Sequence, residues 1–73
     1  MVTVYSKPNC TQCNFTKRFL NDKDIPYQEK DVTASDEALN EVRDLGFQSL
    51  PVVMADGLEP FNGFRSDKLK QLV

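Results

Sequence analysis

The stretch Val2-Thr3-Val4-Tyr5-Ser6-Lys7-Pro8-Asn9-Cys10-Thr11-Gln12-Cys13, continued by Asn14-Phe15-Thr16-Lys17-Arg18-Phe19-Leu20, decides the fold. Its first four residues are β-branched or aromatic, and Val2 and Val4 are two apart, as in a strand with one buried face. Pro8 holds Lys7 in an extended or turn conformation and breaks the strand. From Thr11 the period changes. Cys13, Thr16 and Leu20 share one face of a helix, Phe15 and Phe19 lie beside them, and Lys17, Arg18 and Asn21 face water. A strand thus runs through a short turn into a helix, with Cys10 and Cys13 at the junction.

Further along the chain, Asp24 and Pro26 end this helix by about Lys23. Residues 27–32 form a second, unusually charged strand. Thr33-Ala34-Ser35-Asp36-Glu37 is a helix start, a hydroxyl cap followed by acids that the helix dipole favours. Ala38, Leu39, Val42 and Leu45 make its apolar stripe, and Gly46 stands just past its C-cap. Residues 50–54 form a buried strand that begins at a proline, and Asp56-Gly57 signals a hairpin into a short strand at 59–61. Ser66-Asp67 caps a last short helix with Leu69, Leu72 and Val73 turned inward. The expected architecture is one α/β domain over residues 1–73, in the order β-α-β-α-β-β-α. It contains a βαβ unit with a parallel strand pair, then a hairpin and a closing helix.

Composition narrows the function. With 73 residues, 40% of them hydrophobic and 27% charged, the chain is a small globular domain that buries only a little over ~60% of its unfolded surface. Its net charge of −2 gives no basic footprint for nucleic acid. No run of about eighteen apolar residues is present to span a membrane. The N-terminal segment lacks the pattern of a secretory signal, so a cytoplasmic location is expected. There is no histidine, and hence no imidazole base or metal ligand. With two cysteines in all, no disulfide framework or Cys-rich zinc site can staple the fold.

The position of the pair is what gives it chemistry. A thiol at a helix N-terminus faces unpaired N–H groups and the positive end of the dipole, which favour thiolate over thiol. Such sites lower a cysteine pKa from ~8.5 into a range of roughly 3.5–7.5. Lys7 adds positive charge nearby. Cys13, one turn inside on the apolar face, is expected to be more buried and less ionised. This inequivalence suits dithiol–disulfide exchange, with Cys10 attacking a substrate disulfide and Cys13 resolving the mixed disulfide. No Cys–His pair exists for thiol-protease chemistry.

Blander readings of the pair are a structural disulfide, a zinc site completed by carboxylates, and two unrelated cysteines. Each fits the compartment, the ligand count or the motif context less well. The sharper rival is a Cu(I) chaperone, which also carries Cys-x-x-Cys near its first strand–helix junction. Such domains place Met two residues before the first Cys, where this chain has Pro8, and follow a βαββαβ order.

Two further segments matter. Leu50-Pro51 either simply starts a strand or forms a cis peptide that packs beside the thiols, leaving the Leu50 backbone free to pair with an extended substrate. Alongside Cys-x-x-Cys, the cis reading is preferred. Gly63-Phe64-Arg65-Ser66-Asp67 is either a turn and cap, with Phe61 and Phe64 as core aromatics, or part of the active-site rim. In the rim reading Gly63 admits close backbone approach and Ser66-Asp67 binds a polar group.

Together YSKPNCTQC at 5–13, GFQSLPVV at 46–53 and NGFRSD at 62–67 resemble the NrdH-redoxins, small glutaredoxin-like proteins, over essentially the whole chain. The resemblance implies a thioredoxin-like fold, a four-stranded mixed sheet flanked by three helices. It implies a monomeric, cytoplasmic electron donor to class Ib ribonucleotide reductase, reduced by thioredoxin reductase and carrying no bound cofactor or metal. Cys10 matches the nucleophile and Cys13 the resolving cysteine. Lys7, Thr11, Gln12, Leu50, Pro51, Gly63 and Phe64 fall on the surface that meets partners. Phe61, Asn62 and Ser66 depart from the Trp, Ser and Pro usual in that block. Glutaredoxins proper carry a Gly-Gly pair that holds glutathione, and this chain reads Asn62-Gly63-Phe64 there. Glutathione-dependent activity is therefore the alternative reading.

Overall fold

A computed structural model describes the whole chain from Met1 to Val73. The elements are β1 (Val2–Ser6), α1 (Thr11–Asp22), β2 (Tyr27–Asp31), α2 (Asp36–Asp44), β3 (Val52–Ala55), β4 (Leu58–Asn62) and α3 (Ser66–Leu69), followed by a 3-10 turn at Lys70–Leu72. The expected order holds, and it is not that of the copper chaperones. The sheet runs β2-β1-β3-β4. β1 pairs parallel with β2, and the β1–β3 and β3–β4 pairs are antiparallel.

Alternation along β1 divides the core between the two faces of the sheet. Val2 and Val4 join Leu20 of α1, Val53, Phe61 and Leu69 of α3 on one face. Tyr5 joins Val32, Ala38 and Val42 of α2, with Val52, on the other. The charges of β2 follow the same alternation. Glu29 accepts from Lys17 Nζ of α1 at 2.8 Å and from Ser6 Oγ at 2.6 Å. Lys30, its neighbour, reaches Glu41 Oε2 of α2 at 3.2 Å. A charged strand is accommodated because β2 is an edge strand whose side chains pair outward to both helices.

Several boundaries differ from expectation. β3 begins at Val52, because Pro51 has no N–H to give to the ladder. Pro60 lies inside β4, which its edge position permits. Gly57, at φ 82°, makes the hairpin turn. Ser35 caps α2 through the Ala38 N–H, whereas Leu45 is the C-cap residue and is exposed instead of completing the stripe. Ser66 is the first residue of α3 and makes no cap bond; Arg65 occupies the cap position and pairs with Asp67 instead. Val73 is 76% exposed, because α3 gives way to a tighter turn and the helical period does not carry to the end of the chain. No helix is long and apolar enough to cross a membrane.

Candidate active site at the first strand–helix junction

Cys10 is the N-cap residue of α1, with extended backbone at φ −105° and ψ 106°. The preceding turn is made by Pro8 and by Asn9 at φ 61°, a left-handed conformation that Asn tolerates well. Cys10 and Cys13 are joined in a disulfide with their Cα atoms 5.2 Å apart. The Cys13 N–H donates to Cys10 Sγ at 3.2 Å, so a backbone donor at the helix start points at this sulfur. The first turn of α1 holds no acid that would oppose a negative charge there. Cys10 is 9% exposed and Cys13 is fully buried at 0%. The two sulfurs are therefore inequivalent in the expected sense.

Two loops close around the pair. The Leu50–Pro51 peptide is cis, and Leu50 O lies 4.0 Å from Cys10 Sγ. Gly63 N–H donates to Pro51 O at 2.8 Å, which ties the end of β4 to the proline loop. A second tie runs from Asn62 Nδ2 to Ser49 Oγ at 2.6 Å. Phe64 N–H donates to Gln12 Oε1 at 3.0 Å and links the same loop to α1. Gly63 has φ +81°, and a Cβ built on it would meet Gln12 Oε1 at 3.4 Å. Glycine is thus favoured by its backbone conformation, while the Gln12 contact would be an ordinary one. The structure brings Gln12, Leu50, Pro51, Gly63 and Phe64 together with the dithiol.

Thr11 opens α1 and is exposed. Lys7 lies exposed in the turn before it and joins none of the ion pairs. Phe61 is buried at 7%, but Phe64 is 38% exposed and is no core aromatic. Of the other ionisable groups, Tyr5 stands out. Burial first, and then the bond it donates to Glu41, push its pKa up to about 12. The Lys17 ammonium, followed by the Ser6 hydroxyl, holds the Glu29 carboxyl below its ordinary value.

A Cys-x-x-Cys at a helix N-cap, opposite a cis-proline and inside this sheet order, is the arrangement of a redoxin. The glutaredoxin family model matches residues 2–58. The glutaredoxin-like protein NrdH of Lactococcus lactis is 39% identical over 99% of both chains. The chain belongs to the glutaredoxin-like NrdH redoxins. NrdH of Salmonella typhimurium is 37% identical over 97% of this chain and 86% of its own. The structure of the NrdH-redoxin from Escherichia coli superposes with a TM-score of 0.93 at 35% identity, covering 99% of this chain and 93% of that one. The fold is therefore thioredoxin-like, and the protein is a thiol–disulfide oxidoreductase with Cys10 and Cys13 as its redox-active pair.

Sequence reasoning missed three features of this redoxin site. Ser49 anchors the proline loop through Asn62, and a serine in a loop carries no signal of that role. Thr16 is fully buried and returns its hydroxyl to Gln12 O at 2.9 Å; it read simply as part of the apolar face. Phe15 is 50% exposed and packs at a tilt against Phe64, with ring centroids 5.9 Å apart. Its signal was present, because a phenylalanine two residues after Cys13 falls off the buried face.

Proposed function

We propose that this redoxin is a monomeric, cytoplasmic electron donor that reduces the disulfide of a class Ib ribonucleotide reductase and is itself re-reduced by thioredoxin reductase. The observation that carries the reading is the placement of Cys10 at the N-cap of α1. Its sulfur accepts the Cys13 N–H and lies against the Leu50 carbonyl.

In the reduced protein, the Cys10 thiolate attacks one sulfur of the substrate disulfide, and the other sulfur leaves as a thiolate. The resulting mixed disulfide joins Cys10 to the substrate. Cys13 then loses its proton and attacks Cys10 Sγ, a step that its 5.2 Å Cα separation from Cys10 makes local. The Cys10–Cys13 disulfide forms, and the substrate departs with both sulfurs reduced. Two electrons have moved, and a flavoprotein reductase drawing on NADPH restores the dithiol. No bound cofactor or metal takes part. The cis-peptide loop offers the Leu50 backbone to an extended substrate segment. Lys7, Thr11, Gln12, Pro51, Gly63 and Phe64 form the surrounding contact surface.

Support for thioredoxin reductase over glutathione comes from Asn62-Gly63-Phe64 standing where glutathione users carry a Gly-Gly pair. The E. coli NrdH-redoxin, moreover, is described as having a thioredoxin-like activity profile. The test is an NADPH-coupled insulin reduction run side by side with thioredoxin reductase and with glutathione plus its reductase. Turnover with the first system is expected. Rapid turnover with glutathione alone would overturn the choice of reductant.

A further inference from the structure

Beside the dithiol lies an apolar surface that electron transfer itself does not use. Phe15 and Phe64 are among the few large hydrophobic side chains left exposed, and they touch each other at an interplanar angle of 51°. With Phe19, Arg18 and Asp22 they line a shallow groove of about 290 Å³ along the outer side of α1. Arg18 and Asp22 lie 4.0 Å apart at its rim, so the groove presents apolar surface with opposed charges and no net attraction for either sign. The Phe64 end is fixed by the N–H bond to Gln12 Oε1 at 3.0 Å. Gln12 is the residue between Thr11 and Cys13, so this end of the groove is tied to the turn of α1 that carries the redox pair.

Two adjoining aromatic rings in water represent unburied contact area of the kind that anchors protein partners. A polypeptide whose disulfide reaches Cys10 carries its neighbouring residues over this rim. Glutathione, small and polar, has nothing to place there. We propose that the Phe15–Phe64 pair is a specificity-determining seat for an apolar side chain flanking the cysteine of the substrate polypeptide. This rests on the reading that the natural substrate is a protein disulfide, and it adds the chemistry of the substrate segment.

The test uses the full chain, reduced with dithiothreitol and desalted, so that no reductase enters. Single-cysteine peptides are supplied as mixed disulfides with 5-thio-2-nitrobenzoate, with Leu or Ser placed in turn at the positions flanking the cysteine. The Cys10 thiolate attacks the peptide sulfur and releases the coloured thiolate; Cys13 then attacks Cys10 and frees the peptide thiol. At one flanking position the Leu peptide is expected to react about tenfold faster than its Ser counterpart, by apolar burial at the transition state. Phe15→Ser is expected to erase that ratio and Phe15→Tyr to retain it. A ratio near one in the natural protein, or a ratio that survives Phe15→Ser or is lost in Phe15→Tyr, overturns the proposal. Sedimentation showing a dimer that Phe15→Ser dissolves would assign the face to a second copy and overturn it too. Faster reaction with oxidised glutathione than with every peptide would instead sink the protein-disulfide reading beneath it.

Discussion

At the scale of single residues, the difference between the two cysteines is set by one position on a helix. Cys10 caps α1 and accepts a backbone N–H, whereas Cys13 lies a turn inside with no exposure. Cys13→Ser is expected to accumulate a mixed disulfide between Cys10 and the substrate, visible by non-reducing electrophoresis and mass spectrometry. Cys10→Ser should form none, and a trap formed through Cys13 would invert the roles. Gly63 carries a comparable constraint. A side chain there must adopt a left-handed backbone, at a cost of about 1–2 kcal/mol. Gly63→Ala is expected to lower the urea midpoint and slow reduction of protein disulfides. An unchanged midpoint would show that the loop yields without strain. The cysteines, Pro51 and Gly63 were legible in the sequence because each residue type permits only a few backbone roles. Ser49 was not, because its partner Asn62 is distant in sequence. Thr16 read as part of the apolar face because its bond to Gln12 O stays within its own helix. The exposure of Phe15 was legible, but its partner Phe64, far along the chain, was not.

At the scale of elements, β2 shows best how pattern and packing divide the work. Its charges made it ambiguous as a strand, and its pairing explains them, with Glu29 bound to α1 and Lys30 to α2. Lys17 and then Ser6 hold the Glu29 carboxyl, and the Tyr5 hydroxyl and then Lys30 the Glu41 carboxyl, below their ordinary value of 4.5. For an acid whose folded pKa is depressed, the stabilisation is present above the unfolded value and lost as pH falls through the folded one. Stability should therefore decline from about pH 5 downward, and Glu29→Gln with Glu41→Gln should flatten that decline in urea titrations. An unaltered slope would remove these ion pairs from the account. Tyr5 acts at the other end of the scale. With its pKa raised from 10.0 to about 12, its contribution is complete below pH 10 and is lost as pH rises toward 12. Tyr5→Phe should shift alkaline unfolding accordingly. Helix and strand order followed from periodicity, but their ends did not. Pro51, Leu45, Ser66 and Val73 were misplaced where a missing N–H, a C-cap or a change to a tighter turn overrides the local pattern.

At the scale of the whole molecule, a domain of 73 residues splits its core across two faces of one sheet, so each face depends on a few large side chains. Phe61 sits in the face shared by α1 and α3. Phe61→Ala is expected to cost about 3–5 kcal/mol, a large share of the stability of so small a domain. Phe64→Ala, at the surface, should cost about 1 kcal/mol or less. Thermal melts of the two variants measure this contrast, and equal losses would contradict the division between core and rim. That division lets the site change without the scaffold: Phe61 in β4 serves the core, and Phe64 in the loop after it lies at the surface. The most direct measurement of the central claim is a reconstituted turnover of purified class Ib ribonucleotide reductase with NADPH, thioredoxin reductase and this redoxin. The account predicts deoxyribonucleotide formation that requires the redoxin and vanishes with Cys10→Ser. Formation that proceeds equally without the redoxin, or with Cys10→Ser in its place, would contradict it.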